Sequence, residues 1–466
     1  MTLRRDSGRL LLGYLPEFRG DPLGLLESIT SRNGPLAWIR VAGRDVYVVN
    51  EPEWVQDILV VNARKFIKSR TLQRARNTLL GDSLLTLEGA QHLRHRRLAQ
   101  PAFHQDRLAF YARSMQSFAE RLRDTWHENT EVDMGAEMMR LTLAIVGRCL
   151  FSAEVEQDAD DVGRAMTDVV EMFDTVLMPF ANHLDKIPFL PVTRRLRRAR
   201  RHLDEIIYRL IGERRRSQAG GGDLLSLFLA ARDEGDGSSL SDQEVRDEIL
   251  TLFLAGHETT ALGLTWSWYL LSRNPEIELR FQDAADSGDG DFIERVFAEA
   301  LRLYPPAWAI GRINVEPYEL AGQSIAAGAV FVLSPWLMQR DPRFWPDPLH
   351  FDPDRFLPQN RSQQPKFTYF PFGGGVRACI GERFAWMESR IVLAVLGRTW
   401  APRLAGDPTV DVRPLITLRP RRPVRMILQR RSLSALRENA DKSGEACRDN
   451  VRSDGRDRPE SHRSQL

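Results

Sequence analysis

One helix sets the scale of this fold. Ser241-Asp242-Gln243-Glu244 has the Ser-x-x-Glu form of a capping box, and helical character then persists to Arg273, where Asn274-Pro275 stops it. At 1.5 Å per residue, roughly 32 residues span about 48 Å. A helix of that length crosses the whole body of a domain, so its middle is expected to be buried. That middle reads Ala255-Gly256-His257-Glu258-Thr259-Thr260. A glycine beside ionisable and hydroxyl groups is costly in an apolar helix unless the polar groups find partners. Glycine permits a local widening of the helix, and threonine can bond back to a carbonyl one turn earlier. Taken alone, the stretch reads as well as a capped kink or a satisfied polar cluster as it does as a functional site.

Around this helix the chain is mostly helical. Apolar spacing predicts helices over 105–126, 136–151, 163–178, 194–216 and 223–232, separated by Gly/Ser/Asp clusters at 217–222 and 233–241. Residues 37–49 predict two short strands around Ala42-Gly43-Arg44-Asp45, a hairpin. From 304 onward prolines crowd in, with strand-like pieces such as Ala329–Leu333 and fragments over 411–428, and a last helix is expected after Gly381. The expected fold is mainly α with a small β portion, one large domain over 1–428. Residues 429–466 lack Phe, Trp, Tyr and Ile, and carry nine basic against seven acidic side chains. They cannot bury enough apolar area to offset ordering entropy, so a disordered tail is expected.

Charge and cysteines remove several function classes. A formal net charge of +2 gives no reason to expect nucleic acid as a partner. Three cysteines cannot build a disulfide framework, which points to a reducing compartment. No apolar run is long enough for a secretory segment or a membrane anchor, so a cytoplasmic protein is expected. Six arginines between Arg194 and Arg201 read as a solvated helix face.

The most informative segment is Phe370-Pro371-Phe372-Gly373-Gly374-Gly375-Val376-Arg377-Ala378-Cys379-Ile380-Gly381. Three consecutive glycines cost conformational entropy and need a reason. One is close backbone approach to a flat ligand. Small residues also free amide N–H groups to point at a sulfur, and the following helix offers its positive end. Both effects favour a thiolate, the form that binds metal. Arg377 suits a carboxylate of the same ligand. Cys149, in an apolar helix, reads as a core residue, and Cys447 lies in the polar tail.

Phe372, Gly375, Arg377, Cys379 and Gly381 match a Phe-x-x-Gly-x-Arg-x-Cys-x-Gly pattern, and the segment resembles the haem-binding loop of the cytochrome P450 superfamily, soluble bacterial type. The resemblance implies that Cys379 is the thiolate ligand of a haem b iron, with Phe372 and Gly256 against the cofactor. It extends to Ala255, Gly256, Glu258 and Thr259, the family's oxygen-binding groove, where Thr259 would hydrogen-bond dioxygen and Glu258 relay protons. His257 reads as a neighbour rather than a ligand. Glu299 and Arg302, with Arg355, match a buried structural network that holds the cysteine loop. His92, Arg96 and Arg312 match positions that hold the haem propionates, although the family often has Trp where His92 stands.

By the same resemblance, pocket segments are 70–86, 163–185, 250–255, Ala307–Ile310 and Leu415–Thr417. Arg94, Arg97 and Arg107 would form a basic face around Cys379. The implied activity is monooxygenation, hydroxylating or epoxidising a lipophilic small molecule such as a fatty acid or terpenoid. No reductase domain fits after 428, so electrons would come from a separate ferredoxin- or flavodoxin-type donor with its reductase, serving a monomer. Two competitors are a hydrogen-peroxide-driven peroxygenase, which would not need the Glu258/Thr259 relay, and a non-catalytic haem carrier or sensor, which would normally carry an output domain.

Overall fold

The computed structural model describes residues 5–6, 8, 12–151, 191–216 and 223–431, except 234, 236 and 408. The long helix spans Asp242–Arg273 and both halves of its capping box form. The Glu244 amide donates to Ser241 Oγ at 3.2 Å, and the Ser241 amide donates to the Glu244 carboxylate at 2.8 Å. At the other end Asn274 caps the helix and Pro275 opens the next one.

Among the helices that pack along it are Met134–Phe151, Pro191–Arg216, Gly290–Leu303 and Glu382–Gly397. Gly263 lets the long helix approach Gly290–Leu303 closely, since a Cβ there would lie 2.7 Å from the Phe297 ring. Trp266 stacks on Tyr304 with centroids 4.1 Å apart, sealing the C-terminal half of the interface. The main apolar core surrounds this helix, and Cys149 is buried within it.

A six-stranded sheet forms the smaller part. Its order is Arg5–Asp6, Leu36–Val41, Arg44–Val49, Val330–Leu333, Ile310–Asn314 and Phe66–Lys68. Ala42 and Gly43 both take positive φ, 47° and 79°, so the expected hairpin closes by a two-residue turn of the primed type. At the far edge Phe66–Lys68 pairs antiparallel with Ile310–Asn314, which sets Lys68 opposite Arg312.

Four expected helices appear, as Gln105–Thr125, Met134–Phe151, Pro191–Arg216 and Leu224–Ala230. The helix over 163–178, the pocket segment 163–185, Cys447 and the tail beyond 431 lie outside the described residues. The folded chain continues past 428. Ala401 donates to the Gln429 carbonyl at 2.8 Å, and Arg431 to the Thr399 carbonyl at 3.1 Å.

Candidate active site

The cysteine loop is bent at Gly373 and Gly375, with φ of 72° and 69°. A Cβ on Gly375 would lie 2.1 Å from the Leu59 carbonyl oxygen, and one on Gly374 would lie 2.4 Å from the Phe367 ring. The glycines are therefore used for close approach to protein on one side of the loop. The Cys379 amide donates to the Phe372 carbonyl at 2.9 Å, which closes the loop on itself. Phe372 packs against Trp386 with centroids 5.5 Å apart.

The Cys379 side chain keeps exposed area, yet protein surrounds it. Both hold if that area faces an internal space. Burial pushes the thiol up to about 11, the Gly381 amide lowers it, Glu382 raises it and Arg96 lowers it. The expected amide does point at the sulfur, but in the protein alone burial outweighs it and the sulfur is a thiol. A cation bound to the sulfur would reverse that balance.

The same reading applies to the long helix. Leu252, Ala255, Gly256 and Thr259 fall at helical spacing and retain accessible area, while most of the helix is buried. A stripe of this kind in the middle of a buried helix lines an internal space. Leu85 and Ile416, in two of the expected pocket segments, are exposed apolar side chains. The helix stays regular through Gly256. Thr259 Oγ1 donates to the Ala255 carbonyl at 2.7 Å, and Thr260 Oγ1 to the Gly256 carbonyl at 3.1 Å. The threonine back-bonds are realised and the glycine widening is not.

Glu258 is buried and points away from that stripe. Its Oε1 accepts from Arg419 at 2.7 Å and also from Thr417 Oγ1. His257 is buried too, with Nδ1 2.8 Å from the Phe253 carbonyl. Burial lowers its pKa, so it is a neutral ring bonded to its own helix.

Beside the loop lies a cluster of basic side chains. Lys68, His92 and Arg312 are buried and Arg96 and Arg377 half-buried. Arg377 pairs with Glu88, whose other oxygen accepts from the Lys68 amide at 2.6 Å. Lys68 Nζ donates to the Leu84 and Leu87 carbonyls, each at 2.7 Å. Burial lowers Lys68 to about 7 and Arg312 to about 10, with neighbouring cations adding to both. Burial and then Lys68, Arg377 and Arg96 lower His92 to about 4, so it is a neutral donor. Arg96 Nη1 donates to the Ala378 carbonyl at 2.7 Å, clamping the residue before Cys379.

Arg377 Nη1 is buried without a hydrogen-bond partner. Four cations thus face one contacting carboxylate, with a guanidinium nitrogen left over. The donor set suits a flat dicarboxylate cofactor held by sulfur, and haem is such a group. Lys68 and Glu88 belong to this cluster and were not singled out from the sequence. Strand alternation carries the signal for Lys68, because Phe66 is buried and a residue two positions on shares its face.

The Glu299/Arg302 network forms as expected. Both side chains are fully buried and bidentate, at 2.6 and 2.7 Å, and Arg355 Nε lies 3.4 Å from Glu299. Arg302 also donates to the Gln339 carbonyl at 2.8 Å. Gln339 in turn accepts from the Phe370 amide at 3.1 Å, which ties the network to the start of the cysteine loop. Of the three arginines of the expected basic face, Arg94 pairs with Glu244 at 3.1 Å and Arg97, which stays exposed, pairs with Asp233 at 2.9 Å.

A helical body with one glycine-bent loop, a single thiol facing an internal space and a buried cation cluster defines a class of protein that holds a metallated dicarboxylate macrocycle through sulfur. The comparisons with known proteins narrow that class. A family model described as cytochrome P450 matches residues 6–400. Cyclooctatin synthase of Streptomyces melanosporofaciens is 36% identical, covering 90% of this chain and 94% of that protein. Pentalenene oxygenase of Streptomyces avermitilis is 35% identical over 87% of this chain and 92% of its own length. A solved haem domain of a cytochrome P450 superposes with a TM-score of 0.82 at 26% identity, covering 93% of this chain and 99% of that one. The chain belongs to the cytochrome P450 family and is an oxidoreductase of its haem-dependent monooxygenase type. Among the described residues, no helix is long and apolar enough to cross a membrane.

Proposed function

We propose that the enzyme hydroxylates or epoxidises a cyclic terpenoid, using dioxygen and electrons from a separate ferredoxin- or flavodoxin-type donor. The observation that carries this reading is the accessible stripe of the long helix, where Leu252, Ala255 and Gly256 are apolar and Thr259 is the only hydroxyl. Such a wall recognises a hydrocarbon by shape and offers it few polar anchors. Two relatives identical at 35% or more, whose names describe a cyclooctatin synthase and a pentalenene oxygenase, support a terpenoid over a fatty acid.

In this reading the Cys379 sulfur would hold the iron of haem b, and His92, Arg312 and Arg377, with Lys68 behind them, would hold its carboxylates. Arg96 holds the loop through Ala378, and Phe372 and Gly256 border the cofactor. When bound, the haem supplies dioxygen binding and activation, with the thiolate favouring O–O cleavage. Thr259 provides the hydroxyl on the accessible face. Glu258 serves protons only after leaving Arg419 and Thr417. The catalytic domain takes in residues through 431, the protein works in the cytoplasm, and it needs no partner subunit for the site.

The test has two parts. The reduced, CO-bound protein should show the red-shifted Soret band of a thiolate-ligated haem, and Cys379→Ala should abolish it. Its survival in that variant would overturn the ligand assignment. A ferric spin-shift screen of cyclic terpenes, fatty acids and steroids should give its largest shifts with terpenes, and a fatty acid leading the screen would overturn the substrate class.

A further inference from the structure

Trp266 stands seven positions after Thr259 on the long helix, so it shares that residue's face about 10.5 Å farther along the axis. Its ring is fully buried, and Nε1 donates at 3.4 Å to the Leu418 carbonyl, beside the expected pocket segment Leu415–Thr417. From there a line of aromatic rings leads outward. Trp266 stacks on Tyr304 with centroids 4.1 Å apart and planes 10° apart. Tyr304 meets Trp336 edge-on at 6.4 Å. Trp336 Nε1 donates at 2.7 Å to the carboxylate of Glu27, which is exposed.

Indole and phenol are the rings most easily relieved of one electron, and rings in contact can pass it along. The direction of travel depends on where a proton can leave. Trp266 faces a carbonyl, which is no base toward its N–H. The polar groups acting on the Tyr304 hydroxyl are Tyr269, Arg340 and Arg273, and burial raises its pKa, so the phenol keeps its proton. Among the described residues, only Trp336 of the three points its N–H at a carboxylate. Arg340 sharpens the difference. Its guanidinium carbon lies 3.3 Å from the Trp336 centroid and 5.4 Å from that of Tyr304. Burial lowers Arg340 to about 9, which leaves it charged at neutral pH. A cation over the ring opposes a positively charged indole, so an oxidised Trp336 sheds its N–H proton, and Glu27 is placed to take it.

We propose that Trp266, Tyr304 and Trp336 carry oxidising equivalents from the site to the surface when activated oxygen meets no substrate. The inference rests on the monooxygenase reading, because that reaction supplies the oxidant. In each pass one electron moves from Trp336 through Tyr304 and Trp266 into the site. The Trp336 N–H bond breaks, its proton goes to Glu27, and a neutral indolyl radical remains. A small thiol in solution returns one hydrogen atom to Trp336, and Glu27 releases its proton to water. Two passes, with two protons taken up at the site, reduce the stranded oxygen atom to water. The two thiyl radicals couple as a disulfide.

Two measurements test this. In the first, haem-loaded enzyme is mixed with hydrogen peroxide and no substrate, then frozen at once for electron paramagnetic resonance. Wild type should show a neutral tryptophan radical, identified by its change when the protein carries ring-deuterated tryptophan. Trp336→Phe keeps an aromatic ring without an N–H, and it should lose that signal with the CO-bound Soret band intact. The same radical persisting in this variant overturns the proposal, as does its absence from wild type. If Trp336→Phe does not fold, Glu27→Gln removes the proton acceptor at an exposed position. It should lose the neutral radical too, and an undiminished signal there is equally decisive against the chain. The second measurement is haem bleaching during substrate-free NADH oxidation with a ferredoxin and its reductase, with and without glutathione. Both variants should bleach severalfold faster than wild type, and the thiol should protect wild type alone. A role in core packing alone predicts equal bleaching and equal protection, and that outcome overturns the proposal. Wild type without the red-shifted CO band would overturn the family reading and this inference together. An intact CO band with no tryptophan radical would overturn this inference alone.

Discussion

Arg419 and Glu258 meet across 161 positions of sequence, with Arg419 Nη2 2.7 Å and Nε 2.8 Å from the same carboxylate oxygen. The pair fastens the strand Leu418–Pro420 to the middle of the long helix. It joins the acid of the Ala-Gly-His-Glu-Thr segment to a part of the chain that carries no motif of its own. Glu258 is nearly enclosed while Arg419 reaches partial solvent, so losing the arginine strands a buried charge. Arg419→Ala should cost about 2 kcal/mol in denaturant unfolding, the scale of a hydrogen bond to a charged group. Arg419→Lys should recover part of that loss, because one ammonium replaces two guanidinium donors on one oxygen.

Lys68 makes the stability of the cofactor-free protein depend on pH. Burial, helped by Arg377 and Arg312 and opposed by Glu88 and Glu248, lowers its pKa from an ordinary 10.5 to about 7. Between those values the unfolded chain binds more protons at this site than the folded one. Stability from this group therefore rises as pH climbs from about 7 toward 10.5, and its penalty is fully present below 7. The cofactor-free protein should gain stability over that range in denaturant titrations, and Lys68→Met should flatten the slope. A bound dicarboxylate would raise the Lys68 pKa, so haem loading near pH 8 should take up protons, measurable as a buffer-dependent binding heat.

Glu299 and Arg302 are both fully buried, and each satisfies the other. Removing one partner leaves an uncompensated charge, which costs about 3–5 kcal/mol. Glu299→Ala and Arg302→Ala should therefore unfold at markedly lower denaturant concentration. Because Gln339 links Arg302 to the Phe370 amide, both variants should also lose haem. Gln339→Ala should lose haem with a smaller fall in stability, since it breaks the link without stranding a charge.

What was legible in the sequence was local. The capping box at Ser241, the stop at Asn274-Pro275, the Ala42-Gly43 turn and the cysteine loop each lie within a dozen residues, and each appears where expected. Glu299 and Arg302 were legible because they share one helical face. Pairings set by tertiary topology were not. Arg94 with Glu244, Arg377 with Glu88 and Arg419 with Glu258 join segments more than a hundred positions apart. No periodicity encodes such pairs, so Arg94 and Arg97 looked like free surface charges. Glu388, on the helix Glu382–Gly397, was hidden for another reason. At helical spacing among apolar residues, a glutamate normally marks the solvated face, and only the packing against Thr260 and Cys149 reveals it as interior.

Gly375 offers the sharpest test of the loop. Its φ of 69° already disfavours any side chain, and the missing Cβ would sit 2.1 Å from the Leu59 carbonyl oxygen and 3.1 Å from its carbon. That neighbour is backbone and cannot rotate away. Gly375→Ala must therefore move either the segment Asp57–Val61 or the loop itself, and the loop also carries Arg377 and Cys379. Strain at one such position costs roughly 1–3 kcal/mol before the clash is added. Gly43 is the matched control, since its φ of 79° is equally left-handed but nothing lies within reach of an added Cβ. Gly43→Ala should lose about 1 kcal/mol and keep its haem. Gly375→Ala should lose more stability and most of its haem. Equal losses in the two variants would mean that backbone strain alone matters and that the contact with Leu59 does not shape the site.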